Sequence, residues 1–137
     1  MRHVFDDICF LVHNRMVRWS VLFHPAFDRE FQELSQAVQD ELLAHAKVLE
    51  LIGPTLGRPR VDTLKGSRHA NMKELRFDAD DGAWRVAFAF DTKRQAVLLV
   101  AGDKSGGSQD KFYRQLIRTA DKRFDEHLNS VKRERKR

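Results

Sequence analysis

The sequence predicts an α+β domain in the order β-α-α-β-β-β-α, with a mainly antiparallel four-stranded sheet. Three observations predict it. Two neighbouring stretches before residue 53 carry apolar residues at helical spacing. Leu64 to Lys104 then holds three strand-like segments joined by short turns. A last helical stripe follows. Helices and strands are grouped, not interleaved strand by strand.

Met1 to Arg15 has no clean period, so residues 1–16 read as a peripheral arm, and Met16 as an alternative start. Val17 to Phe23 sets Val17, Trp19, Val21 and Phe23 against Arg18, Ser20 and Leu22, the alternation of a half-buried strand. His24-Pro25 ends it, and proline suits a first helical turn because its missing N–H is not needed there. Phe27, Phe31 and Leu34 form one apolar stripe. Ser35 caps a second helix with Val38, Leu42, Ala46, Leu49 and Ile52, stopped by Gly53-Pro54. The short joint predicts an antiparallel helical hairpin.

Thr55 to Arg68 reads as a loop, Met72 to Phe77 as a strand and Asp78 to Gly82 as a turn. Trp84, Val86, Phe88 and Phe90 then alternate with Arg85, Ala87 and Ala89. Ala96 to Ala101 is apolar on both faces, as an interior or helix-covered strand is. Gly102 to Gly107 is a flexible loop. Ser108 caps a last helix with Phe112, Leu116, Ala120, Phe124 and Leu128, and Ile117 beside them. The domain is placed at 17–129, with a basic tail at 130–137 expected to be disordered.

At 137 residues the chain fits one domain, and 42% hydrophobic residues suffice for a core. No apolar run approaches the roughly 20 residues of a membrane span. Ile8 to Val12 is short for a signal core, and Asp6-Asp7 before it has the wrong charge. Cys9 is the one cysteine, so neither an internal disulfide nor a cysteine zinc site is expected. The simplest compartment is the cytoplasm.

The net charge of +5 is unevenly spread. Val131 to Arg137 carries +4, Asp28 to Glu50 carries −4, and Arg58 to Arg76 carries +4. One cationic surface opposite an acidic helical one is better evidence of an anionic ligand than the total. No Gly-x-Gly-x-x-Gly or P-loop is present, so no nucleotide cofactor is expected. The histidines lack a metal-ligand spacing. Asp78, Asp80 and Asp81 read as a solvated hairpin turn.

What remains is a cationic set. Arg76 lies on the strand face opposite Leu75 and Phe77, Arg85 shares a face with Ala87 and Ala89, and Lys104 follows the last strand. Two alanines beside an arginine leave a low floor for a flat or bulky ligand. Like charges this close repel unless an anion sits among them, and guanidinium forks suit phosphate. The competing reading pairs these residues with Glu74, Asp78 or Asp103 at the surface.

Leu64-Lys65-Gly66-Ser67, Lys73-Glu74-Leu75-Arg76, Trp84 to Phe90, Gly102-Asp103-Lys104 and Phe112-Tyr113, in this order, resemble the RelE/HigB toxin superfamily, in its phage-derived HigB-like branch. The resemblance covers Val17 to Leu128. It implies a RelE-like, microbial-RNase-like fold, a cognate helix-turn-helix antitoxin, and metal-independent cleavage of messenger RNA on the ribosome. It matches Arg85, Lys104 and Tyr113 to the catalytic set, with Arg76, Lys73 and Glu74, and Lys65, Arg68 and His69 to RNA binding. Glu74 stands where some relatives carry lysine, so either Lys73 takes that role or Glu74 is the general base. His69 is an alternative acid. Two rivals are a ParE-like inhibitor of DNA gyrase and a non-catalytic RNA-binding module.

Overall fold

The computed structural model describes residues 19–135. The readings of the N-terminal arm, Cys9, Met16 and the first two strand residues lie outside them. The elements are β1 (Ser20–Phe23), α1 (Pro25–Gln32), α2 (Gln36–Ile52), β2 (Val61–Thr63), β3 (Lys73–Ala79), β4 (Gly82–Phe90), β5 (Gln95–Asp103) and α3 (Gln109–Arg135). They form one sheet in the order β1-β5-β4-β3-β2. β1 runs parallel to β5, and the other pairs are antiparallel.

The sheet therefore has five strands, not four. The added strand, β2, lies in the stretch read as a loop. It pairs Val61, Asp62 and Thr63 with Leu75, Glu74 and Lys73. Three residues are too few to display a period, so long-range pairing alone defines this strand. From β1 the chain passes through both helices to the far edge and returns through β3, β4 and β5.

β3 and β4 are joined by Asp80 and Asp81, with φ of 50° and 58°. Two left-handed residues are what the tightest hairpin turns require, because their twist matches that of the strands. The turn is thus shorter than Asp78 to Gly82. The Ser35 hydroxyl donates to the Asp80 carboxylate and accepts from the Val38 amide at 3.3 Å, tying the hairpin to the cap of α2.

Each face of the sheet carries its own core. Phe23, Phe27, Phe31, Leu42 and Leu49 pack with Leu75, Val86, Phe88 and Leu98. Met72, Ala87, Ala89, Val97 and Leu99 pack under Leu116, Ala120 and Phe124 of α3. Burial of a side chain of this size is worth roughly 2 kcal/mol. A bulge in β5 sets Ala87 opposite Val100 but Phe88 opposite Leu98, skipping Leu99. Plain alternation sends Ala96 and Leu98 to one core and Val97 and Leu99 to the other, and the extra residue of the bulge brings Val100 to the same side as Leu99. This explains a strand that is apolar on both faces.

Several expectations are corrected here. The alanine floor is closed: Ala87 and Ala89 are both 0% exposed, because small residues let α3 approach the sheet. α1 lies against β5 and β1, and α2 against β3 and β1, so both helices pack on the sheet. Ile52 is 46% exposed, outside the α2 stripe. α3 runs on through Arg135 with Val131 buried, so residues 130–135 are helical and not a disordered tail.

Candidate active site

The antiparallel register of β3 and β4 places Arg76 directly opposite Arg85, and Glu74 opposite Ala87. Alternation puts Glu74, Arg76 and Arg85 on the α3 face. Leu75 and Phe77 point into the other core, and so does Phe88, the partner of Lys73. Lys73 therefore lies on the face opposite Glu74, which leaves Glu74 as the member of that pair that meets the arginines.

Arg85 Nε sits 3.6 Å from Glu74 Oε1, and both side chains are over nine-tenths buried. The Tyr113 hydroxyl donates to the same oxygen at 2.9 Å. Arg85 Nη1 donates to the Trp84 carbonyl at 2.9 Å, while its buried Nε has no hydrogen-bond partner. Burial, then the hydrogen bond and charge of Glu74, push the Tyr113 phenol above its ordinary range, and Arg85 partly offsets them. The phenol is thus held as a proton donor. Arg85, which the sequence placed beside an open alanine floor or in a surface ion pair, is instead buried at 6% exposure.

Two clefts flank this set. A cleft of about 650 Å³ opens where β2 stops and leaves the edge of β3 bare. Arg60, Arg76, Arg85 and Asp78 line it with Glu41 and His45 of α2. Arg76 stays partly exposed, with Nη1 3.8 Å from Asp62 Oδ2. Hydrogen bonds from Arg58 and the Thr63 amide hold the Asp62 carboxyl below its usual range, so it remains anionic beside Arg76. A second cleft of about 510 Å³ lies between the Lys65-Gly66 loop and α3, lined by Lys65, Asp110, Tyr113, Arg114, Ile117 and Arg118. Arg85 reaches the first cleft and Tyr113 the second, and Glu74 joins them.

Lys104 follows β5, its amide donating to the Ala83 carbonyl at 2.8 Å. It lies two residues beyond Gly102, the partner of Arg85. Arg68 and His69 are engaged elsewhere. The Arg68 guanidinium pairs with Asp125, its amide donates to Asp121 at 3.2 Å, and His69 Nε2 meets Asp125 Oδ1 at 2.9 Å. They anchor the loop to α3. Sequence reasoning missed Arg60, Arg114, Arg118 and His45. The spacing of Asp110, Arg114 and Arg118, a polar stripe on α3, was the available signal for two of them. Among the described residues, no group of three or more His, Cys, Asp or Glu is placed to hold a metal ion.

A single sheet, helix-covered on both faces, thus carries the contact among Arg85, Glu74 and Tyr113 between two clefts lined by cationic side chains. Residues 29–125 match the family model described as "Phage derived protein Gp49-like (DUF891)". The chain belongs to this family, a family of HigB-like toxins. It is 47% identical over 102 residues to "Putative toxin HigB2" of Mycobacterium tuberculosis (strain ATCC 25618 / H37Rv), covering 74% of this chain and 47% of that protein. It is 40% identical over 111 residues to "Putative toxin HigB3" of the same strain, covering 81% of this chain and 95% of that protein. The match thus spans under half of the first relative and nearly all of the second. No solved structure matches. Among the described residues, no helix is long and apolar enough to cross a membrane.

Proposed function

We propose that this chain is the toxin of a type II toxin–antitoxin system and that it cleaves messenger RNA on the translating ribosome without a metal ion. Family membership supports the first half. One observation carries the second: Glu74, Tyr113 and Arg85 are in contact, with Arg76 directly across from Arg85.

The ribose 2′ oxygen attacks the adjacent phosphorus, and the bond to the 5′ oxygen breaks. The 2′-OH proton passes to the Tyr113 hydroxyl as the phenol gives its own to Glu74, which lets a buried carboxylate serve as the base. Arg85 and Arg76 stabilise the added charge on the phosphorane. A cationic group, Lys104 or a neighbour, protonates the 5′ oxygen. The products are a 2′,3′-cyclic phosphate and a 5′-hydroxyl. Lys65, Arg114 and Arg118 carry the RNA backbone along the second cleft. The partner is a small helix-turn-helix antitoxin, and the compartment is the cytoplasm, where the ribosome is.

Induced expression tests this. The expected result is new messenger 5′-hydroxyl ends within reading frames and intact DNA. DNA breaks with intact messenger would replace the reading with gyrase inhibition. Bound but uncut messenger would leave only a binding module.

A further inference from the structure

The cleft that Arg85 lines spans the edge of the sheet, so it collects groups from both faces. Arg60, Arg76 and Arg85 come to it from the strands and the loop before β2, and His45 comes from α2. Resting on the nuclease reading above, we propose that His45 is the general acid that protonates the leaving 5′ oxygen.

The geometry fixes which nitrogen acts. His45 Nδ1 lies 2.9 Å from the Glu41 backbone carbonyl. A carbonyl only accepts, so Nδ1 is the donor and Nε2 is the atom left for proton transfer. The ring packs against Phe77 with centroids 5.4 Å apart, which sets its plane. Three arginines in the cleft hold the phosphate but have no proton to give, because guanidinium does not deprotonate in proteins. Glu41 and Asp78 are the carboxylates there, and as anions they cannot act as acids. His45 is the lining side chain whose chemistry fits the step.

The Glu41 carboxylate lies 3.7 Å from Nδ1, and Arg60, Arg76 and Arg85 line the same cleft. In balance, the P–O5′ bond breaks, its electron pair stays on the 5′ oxygen, and that oxygen takes the Nε2 proton. Lys104 then acts by charge alone.

The test pairs the full-length chain with ribosomes programmed by two messengers, one normal and one with sulfur in place of the bridging 5′ oxygen. A thiolate leaves without protonation. His45→Asn keeps a donor for the Glu41 carbonyl and removes Nε2. His45→Gln is a second variant, and circular dichroism confirms that the form compared is folded. The expected result is a loss of roughly 100-fold or more on the normal messenger, with near wild-type cleavage of the sulfur messenger. Equal loss on both messengers, or loss on neither, overturns the assignment while the nuclease reading stands. If the wild-type chain cuts neither messenger, both readings fall.

Discussion

Tyr113 and Glu74 are 39 positions apart, yet the phenol donates to the carboxylate at 2.9 Å and so pins α3 to β3. Arg85 shares that oxygen. The contact lies over the sheet face whose alanines allow the helix so close. Structure and proposed chemistry therefore depend on the same three groups.

Removal of one charge of this pair should cost more than removal of both. Arg85→Leu leaves Glu74 buried with only a phenol, and a broken buried pair costs roughly 3–5 kcal/mol. Adding Glu74→Leu should recover much of that stability. Neither variant should be toxic. Urea unfolding and growth after induction measure the two effects separately. A double variant as unstable as the single one would show that the pair is not the source of the cost.

Acid should loosen the start of α1 through His24. Its Nδ1 accepts the Ala26 amide at 3.0 Å as the helix cap, and Nε2 meets Glu126 at 2.9 Å. Burial pulls the His24 pKa below its ordinary 6.5. Glu126 resists this, while Arg123 and His127 add to the lowering. A lowered folded value means the unfolded chain takes the proton more readily. The contribution is thus whole above about 6.5 and is lost as pH falls through the window below it. His24→Asn keeps a capping oxygen without the titration. Unfolding curves from pH 8 to 5 should show a shallower acid decline for the variant. Parallel declines would reject the assignment.

The faces of β4 and the stripe of α3 were legible because periodicity is local: Phe88 and Ala89 declare opposite sides by alternation, and Leu116, Ala120 and Phe124 recur by helical spacing. What covers a face is not local. Ala87 and Ala89 suit either an open floor or a close helix, and only the packing of α3 decides between them. The burial of Arg85 follows from that cover. Glu74, Asp78 and Asp103 were all candidate partners for the cationic set, and the β3–β4 register is what brings Glu74 to Arg85. His45 was invisible because it enters the site around an edge bared by the shortness of β2.

Removal of charge from the second cleft should weaken RNA capture without slowing the chemical step. Lys65, Arg114 and Arg118 line it but lie outside the proposed proton path. Lys65→Gln with Arg114→Gln and Arg118→Gln should raise KM roughly tenfold or more and flatten the salt dependence of cleavage, because fewer counterions are released. kcat should stay near wild type. Cleavage assays on ribosomes across a salt series read all three. A fall in kcat with unchanged KM would place these side chains in the chemistry.

The basic end of the chain should matter for stability up to Val131 and for charge beyond it. Val131 is 7% exposed and lines a small hollow with His127, whose Nε2 meets Asp91 Oδ2 at 2.6 Å. Burial would raise the Asp91 carboxyl, but the hydrogen bond from His127 and those from the Lys93 and Gln95 amides hold it below its ordinary value. Lys93 also reaches Glu134 at 2.7 Å, so this last stretch of α3 closes over the β4–β5 turn. Val131→Ala removes two methyl groups and should cost about 1.5 kcal/mol. Neutralising Lys132, Arg133 and Arg135, which stay exposed, should change stability little and weaken attachment to ribosomes. Thermal unfolding and ribosome co-sedimentation separate the two contributions. If Val131→Ala unfolds like the wild type, the end of α3 packs less firmly than its burial implies.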